Sequence, residues 1–364
     1  MKALRVSGER EVTVLDREIP KPEPGEVVIR MMSTGICGSD LHPYRHPTPL
    51  NLDPGFISGH EPCGVVHEIG SRVQGWEVGD RVAPYFRRTC GHCRYCRAGY
   101  ANDCANRRPS YGHQGCDGSH AEYMRVEEAC LIRLPNHLSF LDGAVISCQG
   151  GTAYAPLVRM GVSGRDVLVV SGLGPVGLLS VLFGRALGAT IVGIDPSAGR
   201  RELAAKIGAS VTLDPTAGPV GEQLQAHVPG GADKLTETSG ANAAHAVVGD
   251  LVRPLGMVAV VGLGSADFTM PLGRLAMKEL TIIGSSAYPP GQFDEIAEFV
   301  RRHDIKLDSI VTDYFPLEEG PAAFAKAADA NAGKVCFRFD GSRSEQQSPM
   351  LSRSRGAHGP SVSS

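Results

Sequence analysis

The sequence predicts an α/β protein: a doubly wound parallel sheet joined to a second, mainly β, barrel-like unit. Three observations lead there. Between about 152 and 289, apolar runs of five or six residues alternate with helical stretches, the rhythm of a parallel sheet with crossover helices. Before residue 150 the β-type runs are short and punctuated by glycine and proline. Within that first stretch, Cys90, Cys93, Cys96 and Cys104 crowd into a single segment. At 364 residues the chain has room for about two domains of roughly 100–200 residues each.

Each element follows in order. Glu26–Arg30, Gly64–Ile69 and Asp80–Ala83 read as strands of the first unit. Asp166–Ser171 is apolar on both faces, as a strand buried in a parallel sheet must be. Pro175–Leu187 reads as a helix, Ala189–Ile194 as the next strand and Gly199–Ile207 as the next helix. Val258–Gly262 and Leu280–Gly284 are later strands. An apolar-periodic helix near Phe293–Val300 precedes a closing β run, Val335–Phe339, which returns to the first unit. The expected division is therefore 1–151 with 290–340 as one domain, carrying a cysteine lobe at about 88–106, and 152–289 as the other. The last 24 residues, 341–364, hold eight serines and almost no apolar side chains, the composition of a disordered tail.

With 42% hydrophobic residues, both cores can be filled. A net charge of −3 gives no general attraction to nucleic acid or anionic lipid. No apolar run approaches the roughly 18 residues of a membrane span. The opening MKALRVSGEREVTV lacks an apolar signal core. Ten cysteines without such a signal suit a reducing interior, so the cytoplasm is expected.

Gly172, Gly174 and Gly177 form G-x-G-x-x-G, with Leu173, Pro175 and Val176 between them. The motif follows a predicted strand and opens a predicted helix, the context that identifies a Rossmann dinucleotide turn. Gly172 permits the turn, Gly174 lets backbone approach a pyrophosphate, and Gly177 lets helix and strand pack closely. Phosphates would sit at the helix N-terminus. Asp195 ends the next strand 18 residues after Gly177, placed to accept from ribose hydroxyls and repel a 2′-phosphate. NAD is expected over NADP; Arg200 and Arg201, close behind, temper that preference. The four cysteines are spaced C-x2-C-x2-C-x7-C, which suits a tetrahedral structural zinc. Six arginines surround them (87, 88, 94, 97, 107 and 108), raising the alternative of a nucleic-acid module. The net negative charge and the lack of a stacking aromatic cluster favour a solvated face or a subunit contact instead.

The runs Gly35-Ile-Cys37-Gly-Ser39-Asp40-Leu-His42 and Gly59-His60-Glu61 precede the cysteine lobe and the glycine motif. That order resembles the zinc-containing medium-chain dehydrogenase/reductase (alcohol dehydrogenase) family over residues 1 to about 340. The resemblance implies a GroES-like catalytic domain and two zinc ions per chain. Cys37, His60 and Cys148 match the catalytic ligands, and Glu61 matches a carboxylate that binds transiently. Asp40 would orient His60. An alcohol has a pKa like that of water, about 15.7, and zinc brings bound water to about 7. Ser39 would relay the released proton toward His42 as hydride leaves for NAD. Thr152 would lie near the nicotinamide, Thr238-Ser239-Gly240 on the adenine side, and Gly262, Leu263 and Gly264 with Ser285 and Ser286 at strand ends. Lys334 and Arg338 lie near the family's phosphate-binding basic position, but neither aligns with it. Residues Tyr44–Leu50 and Tyr111–Cys116 would shape a pocket for a small alcohol or ketone, a secondary one by preference, in a homodimer or homotetramer. Two other readings stay open: a zinc-free quinone or alkene reductase, and a non-enzymatic NAD sensor that binds nucleic acid.

Overall fold

The structure is a computed structural model, which describes residues 1–46, 56–113, 115–264, 268 and 270–339. The serine-rich tail, residues 47–50 of the first expected pocket segment and Gln114 of the second lie outside the described residues.

The first unit opens with an antiparallel hairpin of β1 (Lys2–Gly8) and β2 (Glu11–Asp16). The long β3 (Glu26–Gly35) then pairs with β4 (Cys63–Ile69) on one side, and β4 with the short β5 (Arg81–Val82). On its other side β3 is shared. β6 (Tyr123–Glu127) takes Glu26–Arg30, and the last strand, β14 (Lys334–Arg338), takes Ser33–Gly35. β13 (Val311–Phe315) lies parallel to β14 at the edge. The closing run, β14, thus pairs within the sheet that holds β3. An isolated bridge between Ala3 and Ala121 ties the hairpin on.

The second sheet is fully parallel, in the order β12-β11-β10-β7-β8-β9. Its strands are β7 (Val167–Ser171), β8 (Thr190–Ile194), β9 (Val211–Leu213), β10 (Ala232–Glu237), β11 (Val252–Val260) and β12 (Thr281–Gly284). Strand order reverses between β7 and β10, and ligands bind at the carboxyl ends beside such a switch point. Leu168, Val169 and Val170 are fully buried, which explains the unbroken apolar run. The helix Pro175–Ala186 begins with proline, whose missing N–H costs nothing at that position. The helix Gln292–Arg302 buries Phe293, Ile296, Ala297 and Val300, one stripe at helical spacing. Its acidic first turn and basic last turn complement the helix dipole.

In the sequence β9, β10 and β13 go unread, and β11 is expected to start later than it does. β11 begins at Val252, six residues before the apolar run, because Ala232 pairs with Val252 across a register shift. β10, central in the sheet, has no apolar signature: Ala-Asp-Lys-Leu-Thr-Glu. The two charges at its entry are paired, Asp233 with Arg253 and Lys234 with Asp166.

Candidate active site and cofactor cleft

Cys37 follows the end of β3, and His60 and Glu61 lie just before β4. Cys148 sits in a π-helical turn, Ile146–Gly150, between the helices Phe140–Val145 and Gly151–Arg159. Such a turn inserts a residue and re-aims a side chain, and π-turns concentrate at functional sites. Donor atoms of Cys37, His60, Glu61 and Cys148 all lie within 4.8 Å of one another. Segments more than a hundred residues apart in sequence therefore converge on one point, with the soft and borderline donors that zinc favours.

The electrostatics fit a cation there. Burial opposes a charge on His60, yet the Asp40 carboxylate and Cys37 together hold its pKa well above the ordinary value. Asp40 Oδ1 is 3.1 Å from His60 Nδ1 and its other oxygen accepts from the Cys37 N–H at 2.8 Å. This leaves Nε2 for a metal, the arrangement that fixes a ligating tautomer. A hydrogen bond from Cys148 holds the Cys37 thiol well below its usual range, and the same bond pushes Cys148 up. Glu61 Oε1 is buried with no hydrogen-bond partner among the described residues.

Lys334 is the residue that sequence reasoning placed in doubt. Its Nζ is fully buried, donating to Ile36 O at 2.9 Å and to Glu61 Oε2. It therefore serves Glu61, not a phosphate. Burial pushes Glu61 up to about 7, with Lys334 pulling the other way. Nothing in the run Lys-Val-Cys-Phe-Arg marks this role, which depends wholly on β14 pairing beside Gly35. Ser39 is exposed, with its hydroxyl 3.3 Å from His60 Nε2. His42 is exposed on the short helix Leu41–Arg45 and stacks near His46 at 4.7 Å; no hydrogen bond joins it to Ser39. Arg338 is turned away from the site, its guanidinium over the Tyr314 ring.

In the cysteine lobe, Sγ atoms of Cys93 and Cys96 are 3.5 Å apart, as are those of Cys90 and Cys104. All four thiols lie within one ligand-sized cluster. Backbone N–H groups of Cys90 and Cys93 donate to Cys104 and Cys90 sulfurs. The helical turn Arg94–Arg97 buries none of its residues, so thiols rather than apolar packing organise this loop. Of the six arginines, Arg88 and Arg108 share Glu127, Arg94 lies over Tyr95, and Arg87 donates to Asn102 O and Ser286 Oγ.

At the dinucleotide turn, Gly172 has φ +89° and Gly177 touches its carbonyl: a Cβ on Gly177 would lie 1.9 Å from Gly172 O. A Cβ on Gly174 would meet nothing within 4 Å. That open side lies at the N-terminus of the helix Pro175–Ala186, where free N–H groups and the helix dipole favour an anion. Asp195 is 5% exposed and accepts from the Leu173 and Ser197 N–H groups, both at 2.8 Å. Arg201 donates to Asp195 O and Pro196 O and pairs with Asp214, and Arg200 Nε donates to Ala332 O. Thr152 donates to Cys148 O at 2.7 Å, linking the cysteine to the cofactor side. Thr238 Oγ1 bonds Ser171 O and Gly172 O, Gly262 N–H donates to Glu237 O, and Leu263 is exposed.

Glu237 went unread in the sequence. Fully buried at the end of β10, it accepts from Ser239 N, Gly240 N and His245 Nε2 at 2.9, 3.0 and 3.1 Å. The strand-end run Glu-Thr-Ser-Gly, a carboxylate before a tight turn, is the available signal.

Comparisons with known proteins bear on the family and the fold. The model of the alcohol dehydrogenase GroES-like domain matches residues 23–136, and that of the zinc-binding dehydrogenase matches 175–302. An uncharacterized zinc-type alcohol dehydrogenase-like protein of Escherichia coli K12, YphC, is 34% identical over 93% of this chain and 99% of its own. The alcohol dehydrogenase TADH from Thermus sp. ATN1 superposes with a TM-score of 0.86 at 31% identity, covering 93% of this chain and 99% of that one. A putative zinc-binding dehydrogenase from Sinorhizobium meliloti 1021, bound to NADP, superposes at 0.83 with 29% identity over 93% and 99%. With that fold, these relatives and two thiol-rich donor clusters, the chain belongs to the zinc-containing medium-chain dehydrogenase/reductase family, that of the alcohol dehydrogenases.

Proposed function

We propose that this chain interconverts a secondary alcohol and its ketone with NAD, holding one catalytic and one structural zinc. The convergence of Cys37, His60, Glu61 and Cys148 carries the reading. Zinc bound there supplies Lewis acidity, lowering the pKa of an alcohol and polarising a carbonyl. The protein's own part is to hold charge and geometry. Asp40 orients His60, and Lys334 keeps the Glu61 carboxylate balanced in a fully buried site. In this reading Ser39, exposed beside His60, accepts the substrate proton, and the exposed His42 acts as the general base of the relay. Thr152, on the helix that follows Cys148, faces the nicotinamide in this reading.

NAD rather than NADP is supported by the Asp195 carboxylate at the end of β8 and by the commitments of Arg200 and Arg201. The NADP-bound relative makes this preference the point most open to experiment. Residues 1–151 with 290–340, and 152–289, are taken as the two domains. Ten unpaired cysteines fit a reducing compartment, the cytoplasm. A homo-oligomer is supported by β12 at a sheet edge with Leu272 and Met277 exposed beside it. The test is a screen of secondary alcohols with NAD alongside zinc analysis. Two zinc ions per chain and NADH formation are expected. A metal-free protein active on quinones or activated alkenes would replace this reading with the reductase.

A further inference from the structure

A fully buried carboxylate lies beside the switch point of the parallel sheet, and the chemistry above makes no use of it. Glu237 closes β10 level with Ser171 of β7 and Val260 of β11, the strand ends that lead into the Gly172 and Gly262 turns. Its backbone carbonyl accepts from the Val261 and Gly262 N–H groups at 2.8 and 2.9 Å. Its side chain accepts from the N–H and hydroxyl of Ser239 and from the Gly240 N–H. Thr238 fastens a further turn, since its Oγ1 donates to Ser171 O and Gly172 O. The fit on both sides is close: a Cβ on Gly172 would lie 2.8 Å from Ser239 N, and one on Gly240 2.7 Å from Leu263 C. The segment 238–240 is therefore wedged, backbone against backbone, between the dinucleotide turn and the Gly262–Gly264 turn. His245, on the helix Asn242–Leu251, braces the carboxylate at 3.1 Å through Nε2. A carboxylate only accepts, so Nε2 carries the proton. His245 Nδ1 is buried without a partner among the described residues, which leaves the bond to Glu237 as that ring's one hydrogen bond there.

We propose that Glu237, braced by His245, is a positioning residue for the dinucleotide, fixing the spacing of the three turns that wall its site. The inference rests on the dinucleotide site of the reading above. Being fully buried, Glu237 meets no ligand itself; Ser239, two residues on, is exposed. Without an acceptor at 237 the Ser239 and Gly240 N–H groups are orphaned and must turn elsewhere, which draws Ser239 away from Gly172.

The experiment titrates NAD and ADP-ribose calorimetrically into zinc-loaded protein and follows thermal denaturation without cofactor. Glu237→Gln sets an amide NH2 against N–H groups that also only donate. The Kd for both ligands should rise about tenfold, the worth of one hydrogen bond, with bound zinc unchanged. Glu237→Asp should recover part of that affinity, because an Asp side chain accepts from the N–H two residues on. His245→Leu removes the brace alone and should raise both Kd values by a smaller factor. A role in folding alone would lower the melting temperature and leave the affinity of the folded protein where it was. Unmoved Kd values in Glu237→Gln (or in His245→Leu, should the first variant not fold) would overturn this inference alone, as would no recovery in Glu237→Asp. Wild-type protein that binds none of NAD, NADP and ADP-ribose would overturn the dinucleotide reading and this inference with it.

Discussion

Two alanine substitutions three residues apart should part company. At Gly174 the backbone is ordinary (φ −65°) and a Cβ would meet nothing within 4 Å. Gly174→Ala should therefore fold normally, because the gain from a stiffer unfolded chain offsets a slightly poorer helix cap. The new methyl instead occupies the space in front of the helix N-terminus. Loss of one charge-assisted hydrogen bond to a phosphate costs about 1.5–3 kcal/mol, which raises the Kd for NAD about 10- to 150-fold. At Gly177 the added carbon would sit 1.9 Å from Gly172 O, a backbone atom that has nowhere to go. Gly177→Ala should cost about 1–3 kcal/mol of stability and cofactor binding together. Thermal denaturation and calorimetric titration with NAD read the two quantities separately. Wild-type affinity in Gly174→Ala would show that this turn is not the phosphate cradle. An unshifted melting temperature in Gly177→Ala would refute the packing argument.

Three further outcomes are expected. Lys334→Met strands the Glu61 carboxylate in a fully buried site and should cost about 3–5 kcal/mol in urea denaturation; adding Glu61→Gln should recover much of that loss, and strictly additive effects would dissolve the pair. Asp195→Ser removes the carboxylate that disfavours a 2′-phosphate, so the NAD-to-NADP ratio of kcat/KM should fall, and an unchanged ratio would count against NAD specificity. In zinc-stripped protein at pH 7, backbone N–H groups hold Cys90 near 6, while burial pushes Cys96 to about 12. Iodoacetamide followed by mass spectrometry should then label Cys90 first. A depressed thiol loses its thiolate as pH falls through its pKa, so the advantage should vanish by about pH 5, and added zinc should protect all four.

Motif-bearing parts of this chain could be read in advance because their signals are local. Val167–Ser171, the glycine turn and the C-x2-C-x2-C lobe each announce themselves within a few residues. What escaped is polar and held in place by distant partners. β10 hides a central strand because Asp233 and Lys234 find Arg253 and Asp166 at its entry, and Glu237 anchors the turn at its exit. Hydropathy counts such residues as exposed, although their charges are neutralised inside. Lys334 escaped for the same reason: only β14 lying against Gly35 brings it to Glu61, 273 positions away. His113 stands in a segment flagged for substrate contact, but nothing local tells which of its side chains turns toward His60.

The strand β14 has a bearing on how the molecule is made. A ribosome must translate more than nine-tenths of this polypeptide before the ammonium that neutralises Glu61 leaves the exit tunnel. Until then the nascent pocket already owns Cys37, His60 and Cys148 but holds an uncompensated carboxylate, which favours any passing cation. The charge balance at Glu61 is therefore among the last features of the buried site to be completed as the chain is made.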